Sequence, residues 1–297
     1  MIRRGHRAGF SCLARAKINL ALHITGRRED GYHLLDSFTI FAETGDRLRL
    51  QAAESSSFTV SGPFGPALAG GGPADSNLVL RAIAALHKAS GKSLRPFAVH
   101  LEKNLPVASG IGGGSADAAA ALRLALEASG IDLSPSMLHS IAMELGADVP
   151  VCLAGRPARM SGIGEILAPL PPLPRIGLVL VNPGVAVSTP AVFRALEVRD
   201  NPPLPALPEA FSRREDLICW LEGTRNDMQP AAIALSPVVA DVLAALEAHP
   251  AAEFSRMSGS GATCFALCAP KAAQELAQDL RARHPGWWVE ASEVSGG

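Results

Sequence analysis

Four glycines, Gly110, Gly112, Gly113 and Gly114, fall within five positions of the stretch PVASGIGGGSADAAAAL, Pro106 to Leu122. Glycine lacks a Cβ, so its backbone adopts positive φ and lets a ligand approach closely. The alanine-rich run that follows has strong helix propensity. A glycine turn that enters a helix aims several unpaired N–H groups and the positive end of the helix dipole at one point. That chemistry holds an anion, most often a phosphate. Ser115 and Asp117 lie in the first helical turn, where short polar side chains cap the helix or reach a metal-bound phosphate.

Two better-known phosphate loops are excluded. A Walker A loop needs Gly-x-x-x-x-Gly-Lys-[Ser/Thr], and before Gly91-Lys92-Ser93 the required glycine falls on Leu86. A dinucleotide fingerprint needs a third glycine where Ser115 stands. The protein-kinase HRD and DFG signatures are absent from the sequence. The plainer alternative is a glycine loop that only turns the chain.

Three more clusters carry usable chemistry. In Ala16-Lys17-Ile18-Asn19-Leu20, Lys17 and Asn19 share one face of a strand, with Ile18 and Leu20 on the other. In Asp30-Gly31-Tyr32-His33, an aromatic and an imidazole on one turn could stack on and hydrogen-bond a planar ligand; an ordinary hairpin turn is the other reading. In Leu145-Gly146-Ala147-Asp148-Val149-Pro150, one carboxylate sits between Gly and Pro, as a positioned base or as a helix-ending turn. A second glycine turn, Ser258-Gly259-Ser260-Gly261, either covers a phosphate or joins two strands.

Together these segments resemble the GHMP kinase superfamily of small-molecule kinases. PVASGIGGGSADAAAAL is similar to that family's phosphate loop, and SGSGATCFAL to its C-terminal glycine motif. AKINLALHITGRREDGYHLLDSF and LGADVPVCL narrow the resemblance to the 4-diphosphocytidyl-2-C-methyl-D-erythritol kinases of the non-mevalonate isoprenoid pathway. The resemblance runs from about Ala14 to Leu267.

The resemblance implies an α+β, two-domain fold with the active site in the cleft between domains. It implies an N-terminal ATP-binding domain over 1–157 and a C-terminal domain over 158–297. The reaction it implies is ATP-dependent phosphorylation of the substrate's 2-hydroxyl. Asp148 would be the base and Lys17 its neighbour, since a close ammonium favours an ionised carboxylate. Pro106, Val107, Ala108, Ser109, Gly110, Ile111, Gly112, Gly113, Gly114, Ser115 and Ala116 would hold the ATP phosphates, with Asn77 and Lys103 near the nucleotide. Asn19 and His33 would hydrogen-bond the diphosphocytidyl substrate. Tyr32 and Phe193 would clamp its cytosine from different domains, and Thr189, in the same VSTPAVF stretch as Phe193, would touch it. No protein-held metal is implied; magnesium would come with the nucleotide. Val107-Ala108-Ser109 is less glycine-rich than in some relatives, and the segment before Ala14 has no assigned role. The alternatives are another kinase of the superfamily, of homoserine or mevalonate type, and a nucleotide-binding protein without activity.

The elements that must position these residues follow from pattern. Strands are predicted at Phe10 to Thr25, Asp46 to Ala52, Phe97 to Lys103, Arg156 to Ser161 and Ile176 to Asn182. Further strands are predicted at Glu253 to Met257, Ala262 to Leu267 and Trp287 to Ala291. Helices are predicted from a cap at Ser76 or Asn77 to about Lys88, from Ser134 to Leu145 with Pro135 in the first turn, and after the first glycine loop. Three more are predicted near Ser212 to Leu221, Ser236 to His249 and Ala272 to Arg283. Gly62 to Ala74 and Gly146 to Pro150 read as loops.

Composition bounds the rest. The chain has 297 residues, 48% of them hydrophobic, enough for a sizeable core. A net charge of −1 and 5% aromatics disfavour nucleic-acid and anionic-membrane partners. Five cysteines without a C-x-x-C pair suit free thiols in a reducing, cytoplasmic compartment. Monomer and homodimer are equally compatible with the sequence.

Overall fold

The computed structural model describes residues 2–4, 9–69, 77–91 and 95–294. Contacts divide the chain into two compact units, and no single cut in the sequence separates them. The first takes Met1–Ala16, Thr44–Val107 and Gly112–Gly155; the second takes Lys17–Glu43, Ala108–Ile111 and Arg156–Gly297. Two long strands, β2 (Gly9–Arg27) and β3 (His33–Ala52), each contribute one stretch to each unit.

In the first unit, β1 (Arg3–Arg4) pairs antiparallel with the start of β2. The end of β3 pairs antiparallel with β5 (Phe97–Glu102), and β5 pairs parallel with β4 (Ser57–Ser61). The helices are α1 (Gly65–Ala69), α2 (Leu78–Ser90), α3 (Gly113–Ser129), α4 (Pro135–Leu145) and α5 (Val149–Ala154). α3 is the central one. Ala118, Ala119, Ala120 and Ala121 are all fully buried, and their small side chains let α2 and α5 pack closely. Alanine is also the best helix former, so one composition serves both propensity and packing.

In the second unit, the start of β3 pairs antiparallel with β6 (Ala158–Gly162), which pairs with β7 (Ile166–Pro169). A separate antiparallel sheet runs in the order β11 (Trp288–Val294), β8 (Ile176–Asn182), β10 (Cys264–Cys268), β9 (Phe254–Met257). Every residue of β8 and β10 is buried, as their unbroken apolar runs require. α9 (Val238–Glu247) packs on β9 and β10, and α10 (Ala273–Arg283) on β8 and β11. α6 (Thr189–Arg194), α7 (Arg214–Glu222) and α8 (Gln229–Leu235) complete the unit.

Several sequence readings need correction. The loop read over Gly62 to Ala74 contains α1, and its residues beyond 69 lie outside the described ones, as does Ser76. Strand β3 begins at His33, not at Asp46. The loop read over Gly146 to Pro150 ends inside α5, because Pro150 is in a first helical turn, the place proline tolerates. The short elements α6, α8 and β7 were not legible from periodicity. Tyr32 and Phe193 both belong to the second unit.

Candidate active site

In the first unit, Gly112 is the N-cap of α3, with φ +65°. Gly113, Gly114, Ser115 and Ala116 form the first turn, so their N–H groups head the helix. Behind that turn lies a buried charge cluster. Lys103 Nζ donates to Asp46, and to Asp117 Oδ2 at 2.8 Å. Asp46 Oδ1 also accepts from the backbone N–H groups of Asn104 at 2.6 Å and Leu105 at 2.8 Å.

Burial opposes the charge on Lys103, but Asp117 and Asp46 beside it outweigh burial and raise its pKa. Burial pushes the Asp117 carboxyl up to about 7, against the pull of Lys103 and with a further push from Asp46. Lys103, next after β5, thus ties β3 to α3 at Asp117, which lies just past the first helical turn in which the sequence reading put it. A Cβ on Gly113 would lie 3.1 Å from its Nζ, so the cluster sits directly under the glycine turn. The charge of Lys103 is taken up by these two carboxylates, behind the turn.

Asn77 caps α2: its side-chain oxygen accepts from Val79 N–H at 2.9 Å. Asp148 holds the N-cap position of α5 but makes no capping hydrogen bond with its side chain. The residues that follow it, Val149 to Cys152, are all buried and fix its backbone.

In the second unit, the other half of the glycine loop is held from behind. Ile111 O accepts from Lys17 N at 2.9 Å, Gly110 O from Ser258 Oγ at 3.1 Å, and Ser109 O from Thr263 N at 3.1 Å. In a planar trans peptide the C=O and N–H point opposite ways. Each of these peptides has its carbonyl committed to the protein, so the N–H groups of Gly110 and Ile111 point away from those partners and are donors that an anion can use. Ala108 stands at φ +50°, a left-handed conformation uncommon for a residue with a Cβ, and part of the strain this loop stores.

The second glycine turn joins β9 to β10 and packs on the first loop. A Cβ on Gly110 would fall 2.4 Å from Ser258 O and 2.6 Å from Gly261 N. One on Gly259 would fall 2.6 Å from Gly110 O. Backbone meets backbone, with no room for a side chain at Gly110 or at Gly259.

Lys17 and Asn19 are both buried on β2. Asn19 Nδ2 donates to Ser37 Oγ at 2.7 Å and Thr39 Oγ1 at 3.2 Å, which fixes the carboxamide. Its Oδ1 is buried with no hydrogen-bond partner, and so is Nε2 of His33. Buried polar atoms without partners are uncommon and mark places where a ligand supplies the missing bond. Burial, then the charges of Arg27 and Arg199, lower the His33 pKa, so its ring is neutral at neutral pH.

The His33 ring stacks on Phe193 with centroids 4.7 Å apart and planes 14° apart. Tyr32 is 58% exposed, presented by a turn in which Arg28 N donates to Tyr32 O at 2.8 Å and Gly31 takes φ +92°. Thr189 Oγ1 bonds Ser260 Oγ at 2.7 Å, joining α6 to the second glycine turn. Sequence reasoning missed Ser37 and Thr39, although the signal was there, as polar residues alternating within an apolar strand.

Comparison with known proteins bears on these features. The GHMP kinases N terminal domain model matches residues 77–156, and the GHMP kinases C terminal model matches residues 205–286. A 4-diphosphocytidyl-2-C-methyl-D-erythritol kinase of Cereibacter sphaeroides (strain ATCC 17025 / ATH 2.4.3) is 52% identical over 285 residues, covering 95% of this chain and 98% of that protein. The chain belongs to the 4-diphosphocytidyl-2-C-methyl-D-erythritol kinase family of GHMP kinases. The family member from Chelativorans sp. (strain BNC1) is 49% identical, covering 96% of each chain. A crystal structure of 4-(cytidine 5'-diphospho)-2C-methyl-D-erythritol kinase superposes with a TM-score of 0.77 at 33% identity, over 97% of this chain and 100% of that one. A homoserine kinase from Cytophaga hutchinsonii shares the fold, at TM-score 0.70 and 18% identity. As a GHMP kinase of this family the protein is a small-molecule kinase with ATP as co-substrate. Among the described residues no helix is long and apolar enough to cross a membrane.

Proposed function

We propose that this chain transfers the γ-phosphoryl group of ATP to the 2-hydroxyl of 4-diphosphocytidyl-2-C-methyl-D-erythritol, in the cytoplasm. The observation that carries this reading beyond the family is the aromatic group of the second unit. A flat, neutral nitrogen heterocycle already lies on Phe193, in the form of His33. With one face covered by His33, half-buried Phe193 has its other face to offer cytosine in this reading. The unpartnered Nε2 of His33 and Oδ1 of Asn19 offer the substrate hydrogen bonds that the protein leaves unmade.

Phosphoryl transfer needs positioning and charge stabilisation more than covalent chemistry. In this reading Asp148 takes the proton of the substrate hydroxyl. Lys17 and the loop N–H groups offset charge on the phosphoryl group in flight. Among the described residues no group of three or more His, Cys, Asp or Glu side chains is placed to hold a metal. Magnesium would arrive with the nucleotide, ligated by phosphate and water. In sequence terms we take 1–157 and 158–297 as the two GHMP kinase domains, which the ranges of the matched family models support.

The test is substrate choice. Stacking one base on an aromatic ring is worth roughly 1–3 kcal/mol by alanine substitution. Tyr32→Ala and Phe193→Ala should each weaken the diphosphocytidyl substrate about 10-fold or more, at roughly 1.4 kcal/mol per tenfold. ATP affinity, measured by titration calorimetry on the same proteins, should hardly change. Loss of ATP affinity instead, or an untouched cytidyl substrate, removes the clamp.

A further inference from the structure

We infer that Ser258 is a positioning residue for ATP, acting through the Gly110–Ile111 peptide. Its hydroxyl is fully buried and makes two bonds, one to each side. Asn19 N–H lies 3.1 Å away and can only donate to it. The hydroxyl proton is thereby left for Gly110 O, also at 3.1 Å. The direction of both bonds follows from the chemistry of the donors.

The carbonyls on either side, Ser109 O and Ile111 O, are held by backbone N–H groups of Thr263 and Lys17. Those two bonds survive any side-chain substitution. The peptide between them is the one held by a side chain, and its rotation would re-aim Ile111 N–H. The turn that carries Ser258 is itself anchored. Asn226 Nδ2 donates to Met257 O and Gly259 O, each at 2.8 Å. Arg256, buried without a carboxylate, donates to Leu20 O, Leu221 O, Thr224 O and Thr224 Oγ1. Ser258 is thus a fixed point against which the loop is set, and the orientation of one phosphate donor is written in a hydroxyl 148 residues away.

This inference rests on the reading that the glycine loop holds the ATP phosphates. The test is titration of wild type, Ser258→Ala and Ser258→Thr with a non-hydrolysable ATP analogue and, separately, with 4-diphosphocytidyl-2-C-methyl-D-erythritol. The alanine variant should lose about 10-fold or more in affinity for the nucleotide, the weight of one charge-assisted hydrogen bond. Its affinity for the cytidyl substrate should stay within about 2-fold, a change too small to signal a lost bond, because Asn19 keeps its bonds to Ser37 and Thr39. Threonine, which retains the hydroxyl, should restore nucleotide binding. Equal loss of both ligands, unchanged nucleotide affinity in a folded alanine variant, or no rescue by threonine overturns the inference. Should the alanine variant fail to fold, the wild-type amide resonance of Ile111 decides: it must move on addition of the nucleotide analogue, and a resonance that stays put overturns the inference. A wild type that binds no nucleotide refutes the underlying reading of the loop instead.

Discussion

Asp148→Asn should bind ATP and the diphosphocytidyl substrate as wild type does and lose about 10²- to 10⁴-fold in turnover, the usual worth of a positioned general base. The amide matches the carboxylate in shape but cannot accept a proton. The fold should tolerate the change. Asp148 holds an N-cap position without a side-chain capping bond, so the amide takes no capping bond away. Its backbone is fixed by Val149, Pro150, Val151 and Cys152, all buried. Steady-state rates with both substrates saturating, beside calorimetric affinities for each, separate the two effects. Turnover within a few-fold of wild type would take Asp148 out of the reaction.

The second large effect is expected in the glycine loop, and the structure ranks its positions. Gly110 has φ +76°, and a Cβ there would meet Ser258 O at 2.4 Å, so even alanine must push two backbone segments apart. Gly112, at φ +65°, is the N-cap that opens α3, where a β-branched residue is both strained and wrongly shaped. Gly110→Ala and Gly112→Val should abolish nucleotide binding. Gly113 is helical, and a Cβ there would meet side chains and no backbone (Lys103 Nζ at 3.1 Å, Asp46 Oδ2 at 3.7 Å, Leu105 Cβ at 3.8 Å), so Gly113→Ala should be milder. Gly130 provides the control. It has φ +63° but open space around its Cβ position, so Gly130→Ala costs about 1–2 kcal/mol of backbone strain and leaves nucleotide affinity alone. Titration with the nucleotide analogue, with thermal unfolding to confirm the fold, checks all four. Full affinity in a folded Gly110→Ala variant would show that the loop only turns the chain.

What the sequence revealed was mostly local. The Ser134 cap with Pro135 behind it, the buried run Ile176 to Asn182 and the glycine turn entering an alanine helix each carry their signal within a few residues. The family resemblance then supplied Lys17, Asn19, His33 and Phe193, which the structure finds buried or stacked in the second unit. What stayed hidden depends on partners far away in the chain. The pairing of Lys103 with Asp46, 57 residues earlier, gives no local sign in the sequence. The contact of the second turn's glycines with Gly110 gives none either. The division of units was hidden for the same cause: β2 and β3 are continuous strands whose two halves keep different company.

The measurement closest to the central claim is phosphorus NMR of the purified protein with ATP and one acceptor at a time. With 4-diphosphocytidyl-2-C-methyl-D-erythritol the account predicts loss of the γ-phosphate signal, formation of ADP and one new phosphomonoester in equal amount, with the cytidine diphosphate signals kept. With homoserine or mevalonate it predicts no new phosphomonoester. Phosphorylation of either of those at a comparable rate, or ATP left intact beside the cytidyl acceptor, would contradict it.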